Sequence, residues 1–457
     1  MTRTETDLLG PVEIPKEALW GAHTQRALNN FPQSYRRLPR LLIQGFAMVK
    51  RAAATTNAQL GALPKDVAEA LISACDELYE GGLDAHMAVD PFAGGAGTSL
   101  NMNVNEVLAN RANAILGKSL GIYDPVHPLD TVNRHQSTND VFPTALRIAA
   151  MWELGRLERH LVDLQAAMQD KEQQYSDVVM VGRTQLQDAV PMTAGQLFAS
   201  CAEAVARDRW RVFKSIERLK VVNIGGTALG TGVGAPRKYI FRIIEELRTL
   251  THLPLTRAEN PVEATANQDA LAEVSGILSA LAVNLSKIAG DLRILSMPPV
   301  GEIILPPRQA GSSIMPGKVN PVIPEYVAQI AGEMQAGHQA LTTALAGGNL
   351  QLSQYLPVVA WHLLDTLRLG VNGVQSLNQH CIAGLEVSEA KCNQHLTESL
   401  AVAAALVPTE GYDRVQAAVL AAKERNIPIS QALSEQGIDA QRIAEALNPA
   451  RLRRLGD

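Results

Sequence analysis

The chain has 457 residues, 46% of them hydrophobic, 19% charged and only 4% aromatic, a length and composition that predict several packed helical sub-structures rather than one small core or a β-rich fold. Its formal net charge of -5 gives no general attraction to nucleic acid or anionic lipid, so any anion site has to be local. The amino terminus MTRTETDLLG carries no apolar run of signal-peptide length, and no uncharged apolar window of about 18 residues is found, which predicts a cytoplasmic protein without a membrane segment.

Residues 1–136 read as a first domain of turns and shorter helices, punctuated by Gly10, Pro11, Pro15, Pro91 and the glycines from Gly94 to Gly97. Near its end, GAGTSLNMNVNEVLANRA places Thr98, Ser99, Asn101 and Asn103 behind a glycine-rich turn. VNRHQSTNDVFPTA then places Ser137, Thr138 and Asn139 just before a long helix.

Residues 137–392 read as a central helical bundle. Leu271, Val274, Leu278, Leu281, Leu285, Ile288, Leu292 and Leu295 alternate spacings of three and four, which is a heptad seam. The spacing recurs in Leu154, Leu157, Leu161, Leu164 and Met168, and again in Ile330, Met334, Gly337 and Leu341. Between the first two long helices, VGRTQLQDAVPMTAGQ is expected to put Thr184 and Gln185 at the head of a helix. The seam leaves open whether one chain or several fill the bundle. Residues 393–457 form a small tail of short amphipathic helices broken at Pro428 and Gly437.

One segment inside the bundle resists regular structure: residues 296–324 hold seven prolines and three glycines. A connection of that kind in a compact domain is usually functional. Its second half, GSSIMPGKVNPVIPE, carries Ser312, Ser313 and Lys318, with Asn320, Pro321 and Pro324 expected as the cap and first turn of a helix beginning near Glu325. A lysine beside the positive end of a helix is unfavourable unless an anion lies between them, so the segment predicts an anion-binding lid that carries a hydroxyl. Any one of these hydroxyl and amide clusters also reads as an ordinary helix cap. The glycine-rich GGTALGTG (225–232) reads as a tight turn between helices, because no strand is expected before it. The four cysteines show no metal-type spacing and are expected to be packed thiols.

Taken together, the clusters resemble the aspartase/fumarase superfamily over essentially the whole chain. The signature GSSxMPxKxN runs intact from Gly311 to Asn320, after AGTSxNMNxNE, VNxxQSTND and GRTQLQDAVPM. The amino-terminal DLLGPVEIPKEALWGAHTQRA is similar as well. The resemblance implies an all-α, three-domain chain whose long helices join a multi-helix core in a homotetramer, with active sites assembled from three subunits. It implies a small dicarboxylate substrate and no organic cofactor, and the ten histidines, with no HExxH and no paired cluster, predict no protein-held metal.

The resemblance also implies roles. Ser312 is the base that removes a proton from the carbon beside a carboxylate, with Lys318 among the groups that stabilise its alkoxide. Thr98, Ser137, Thr138 and Ser313 hold the carboxylate that becomes an aci-carboxylate. Thr184, Lys318 and Asn320 hold the other, Asn139 and Gln185 face the leaving group, and Glu325 supports the site. Class II fumarases carry histidine in GRTHLQDA where this chain has Gln185. A neutral amide does not shuttle the proton that a hydroxide leaving group requires, whereas an ammonium group departs as ammonia unaided. The expectation is therefore reversible elimination of ammonia from L-aspartate to give fumarate; hydration of fumarate, or carbon–nitrogen cleavage of a substituted succinate, is the alternative. The departures SMPPVGE (296–302) and Ser353 bear on which substrate fits. An assembly that keeps the fold without the chemistry is the alternative of another class.

Overall fold

The computed structural model describes residues 1–454. As the composition predicts, the architecture is helical, and strands occur among the described residues only as four two-stranded ribbons. The chain forms two compact units: one from Met1–Glu158, Arg211–Ala280 and Glu333–Val371, the other from Arg159–Trp210, Leu281–Gly332 and the residues from Asn372 onward. The division falls inside the helices Thr138–Gln174, Ala194–Leu219, Asp269–Ser296, Val322–Ala346 and Leu356–His380, so each contributes residues to both units.

The heptads account for these helices. Every seam residue of Asp269–Ser296, from Leu271 to Leu295, is at most 9% exposed. Leu154, Leu157, Leu161, Leu164 and Met168 form the buried stripe of Thr138–Gln174. Asp269–Ser296 is also long and apolar enough to cross a bilayer, which a search for uncharged windows passes over because residues such as Lys287 interrupt the run. Gly337 is a close-packing position: a Cβ there would lie 2.6 Å from the Thr366 hydroxyl.

The first unit opens with an antiparallel hairpin, Thr2–Asp7 against Gly10–Pro15, where the sequence predicts turns. Its alternation of exposed and inward residues is short, and only Glu5 and Ile14 are buried. The segment is tied down by Glu106, a carboxylate 4% exposed that accepts from the backbone N–H groups of Gly21, His23 and Thr24 and from the Thr24 hydroxyl. These donors head the helix Ala22–Asn30, so a buried anion does the work of a helix cap. The turn at GGTALGTG lies between helices as predicted, but a short strand, Val221–Val222, precedes it and pairs in parallel with Thr256–Arg257.

In the second unit, the carboxy-terminal helices pack around a small core of Leu406, Val415, Ala418, Ile429, Leu433 and Ile438. All four cysteines are free, three of them buried. Leu278 is fully buried in the seam of Asp269–Ser296, so Leu278→Ala is expected to lower stability by about 2–5 kcal/mol while leaving the helical circular dichroism unchanged, as read from denaturant melts.

Candidate active site

Of the predicted residues, Thr98, Ser137 and Thr138 come together on one cavity of the first unit, while the second unit holds Thr184 and Gln185 on one segment and Ser312, Ser313, Lys318, Asn320 and Glu325 on another. In the first unit, Thr98 begins the helix Thr98–Ile115 behind Gly97, whose φ of +88° is in the left-handed region. Glycine is required there twice over, since a Cβ would also run into the ring of Phe142. Thr138 begins the helix Thr138–Gln174, and Ser137 precedes it. These two helix starts line one cavity of about 430 Å³ with Asn101, Asn133, His135, Gln136, Thr227 and Ala228. First-turn N–H groups at two helix starts favour an anion in such a cavity.

The wall of this cavity is held by amides. Asn101 Nδ2 donates to the Thr138 hydroxyl at 3.0 Å and to Asn133 Oδ1 at 3.2 Å. Asn139, by contrast, spends its side chain locally: its Nδ2 donates to the Ala228 carbonyl at 2.9 Å. Asp140 lies beneath, fully buried, and accepts from the backbone N–H groups of Ser137, Gly225 and Thr227. Burial pushes its carboxyl up to about 6 against the pull of those donors. The glycine turn at 225–232 therefore wraps a carboxylate of the protein itself.

The second unit places Thr184 and Gln185 differently from the sequence expectation. They do not head a helix. Val179–Thr184 and Gln187–Thr193 form an antiparallel ribbon, and Gln185 with Leu186 makes its two-residue turn. The helix begins later, at Ala194, where Thr193 and Gln196 exchange the reciprocal bonds of a capping box. Gln185 and Leu186 have φ of 53° and 62°, the combination that Asn-Gly usually supplies in such a hairpin. Two bulky residues kept in that conformation hold Gln185 exposed at the tip, a costly local geometry.

The base of this ribbon is fixed by charge. Arg183 makes a two-pronged bond to Glu302, Nη1 to Oε2 at 2.7 Å and Nη2 to Oε1 at 2.9 Å, and the Glu302 side chain is fully buried. His395 Nδ1 lies 2.8 Å from the same carboxylate. Glu302 belongs to the unusual 296–302 stretch, so that stretch ends in an anchor that sequence reading did not identify.

The lid segment is closed on itself. Gly311 N–H donates to the Lys318 carbonyl at 2.7 Å, and Asn320 Nδ2 donates to the Gly311 carbonyl at 2.7 Å. Asn320 is thus a loop clamp rather than a helix cap, and the helix starts at Val322, ahead of Glu325. Inside the loop the Ser312 Oγ accepts from Ile314 N–H at 3.2 Å and Met315 N–H at 2.9 Å. Ser313 and Lys318 are exposed.

A family model described as lyase matches residues 10–336. An aspartate ammonia-lyase of Pseudomonas canavaninivorans is 42% identical, covering 98% of this chain and 96% of that protein. A class II fumarate hydratase of Neisseria meningitidis is 40% identical, covering 96% of each. Among solved structures, a fumarate lyase:delta crystallin of Brucella melitensis bound to cobalt superimposes with a TM-score of 0.94 at 41% identity over the full length of both chains.

Arg183→Met strands the buried Glu302 carboxylate and is expected to cost about 3–5 kcal/mol in denaturant melts. The double variant Arg183→Met with Glu302→Leu removes both charges and is expected to recover most of that loss; a double variant as unstable as the single one would contradict the pairing.

Proposed function

Since the chain belongs to the lyase superfamily that contains aspartate ammonia-lyases and class II fumarases, we propose that it eliminates ammonia from L-aspartate to give fumarate, reversibly. The observation that carries the mechanism is the bonding of Ser312: two backbone N–H groups point at its Oγ. A serine hydroxyl is a weak base, and donors already aimed at the oxygen stabilise the alkoxide without reorganising.

Ser312 releases its hydroxyl proton to solvent, and the alkoxide Oγ then takes the proton from the carbon beside one carboxylate. The electron pair left on carbon spreads into that carboxylate, which becomes doubly charged. Thr98, Ser137, Thr138 and Ser313 hold it. Thr184, Lys318 and Asn320 hold the second carboxylate. The pair then forms the carbon–carbon double bond as the neighbouring carbon–nitrogen bond breaks, and the ammonium group departs as ammonia past Asn139 and Gln185. Glu325, in the first turn of the helix after the lid, supports the site at the position where hydratase members carry the acid that partners a histidine at position 185. The cavity at the two helix starts supports the assignment of the first carboxylate, and the exposed Gln185 supports ammonia over hydroxide because an amide holds a leaving amine but transfers no proton. The reading includes a cytoplasmic homotetramer in which subunits share each site, without an organic cofactor or a resident metal.

Hydration of fumarate is the second reading, favoured by fumarase relatives of nearly equal identity. Following fumarate by its ultraviolet absorbance separates the two: a rise with L-aspartate and none with L-malate is expected, and a rise with L-malate would overturn the role given to Gln185. Ser312→Ala is expected to lower kcat by about 10²–10⁴-fold with the assembly intact. Near-normal turnover in that variant would remove Ser312 from the mechanism.

A further inference from the structure

The helix Arg40–Gln59 carries a lysine, Lys50, on its buried face between Val49 and Ala53. Its ammonium is fully buried and donates to Asn133 Oδ1 at 2.9 Å and Gln136 Oε1 at 3.0 Å. Both acceptors are neutral, and both line the cavity at the two helix starts. Asn133 Oδ1 is crowded with donors, receiving Asn101 and Asn105 as well, each at 3.2 Å. Asp140 is the carboxylate that faces Lys50, but its oxygens are engaged by the N–H groups of Ser137, Gly225 and Thr227.

A buried cation whose hydrogen-bond acceptors are all neutral is unfavourable; the Asp140 carboxylate offsets part of the cost, and a further anion beside it relieves more. The cavity wall transmits the relation in bonds: Lys50 to Asn133, Asn133 to Asn101, and Asn101 to the Thr138 hydroxyl. Resting on the reading that this cavity takes a substrate carboxylate, we infer that Lys50 is a positioning residue that supplies the buried positive charge for that carboxylate and takes up a proton as a dicarboxylate binds.

Burial lowers the Lys50 ammonium to about 7 in the free protein. Of the other groups around it, Asp140 is the one whose titration lies beside that of Lys50. Asp140 titrates near 6, and the buried Cys75 and Tyr239 are pushed far up. His135, which itself lines the cavity, is pushed down. Variants at Lys50 therefore separate the lysine from Asp140, since the carboxylate is present in all of them. Nearby negative charge favours the ammonium, so the bound state holds the proton to higher pH. The free lysine loses its proton as pH rises, and affinity for a dicarboxylate falls with it.

Succinate, a four-carbon dicarboxylate without a leaving group, is the probe. Calorimetric titration of the wild-type protein at pH 8, in two buffers of different ionisation enthalpy, is expected to show uptake approaching one proton per site. Its Kd is expected to rise by about tenfold per pH unit above 7, until the bound-state lysine titrates. Lys50→Met is expected to abolish both the uptake and the slope and to raise KM for L-aspartate at pH 7; Lys50→Arg, charged throughout, is expected to bind without either pH effect. Succinate binding with no proton uptake, or an unchanged slope in Lys50→Met, would overturn the inference while leaving the lyase reading in place. Absence of both succinate binding and turnover would overturn the two together. Should the variants not fold, a wild-type count of zero protons still overturns the inference.

Discussion

A buried carboxylate, Asp140, organises the first unit around the cavity. Its two oxygens accept from three backbone N–H groups, one at Ser137 and two in the glycine turn at Gly225 and Thr227. Those bonds fix the entry into the helix Thr138–Gln174 and, with it, where Thr138 projects. They also bring Thr227 and Ala228 to the same wall, although almost ninety positions separate the segments in the chain. An aspartate at this depth is favourable only because its charge is spread over donors that would otherwise lack partners. The polar face of the cavity is therefore built on an anion that is not available to ligand.

Much of this fold was legible from sequence because heptads report burial directly. Leu271 to Leu295 and Leu154 to Met168 are core residues since spacings of three and four put them on one side of a helix. Helix starts were legible at Thr98 and Thr138, where glycine or short polar residues stop the preceding chain. Thr184 and Gln185 misled for a physical reason: threonine and glutamine suit a cap, and the true cap with the same residue types, Thr193 with Gln196, lies further along. The hairpin turn itself lacks the Asn-Gly that would have announced it. Lys50 and Glu302 were hidden for a different reason. Their partners lie at Asn133 and Gln136, and at Arg183 and His395, so nothing local distinguishes them from solvated charges.

The second unit separates two tasks along one ribbon. The Arg183–Glu302 pair gives the ribbon a rigid, dry base, and the Gln185–Leu186 turn gives it an exposed tip in a costly backbone conformation. Rigidity below allows strain above. The side chain at position 185 is thus presented by backbone whose anchor, Arg183 on Glu302, does not involve that side chain.

The bonds to Ser312 have a consequence for how this loop is dissected. The donors at Ile314 and Met315 belong to the main chain. Replacing either side chain with alanine leaves its N–H where it was, so a scan across the loop passes over the two groups that bond to the hydroxyl oxygen. Only a proline or an ester linkage, which deletes the N–H itself, exposes them. The bonding of this hydroxyl is thus written in geometry rather than in the side chains at positions 314 and 315.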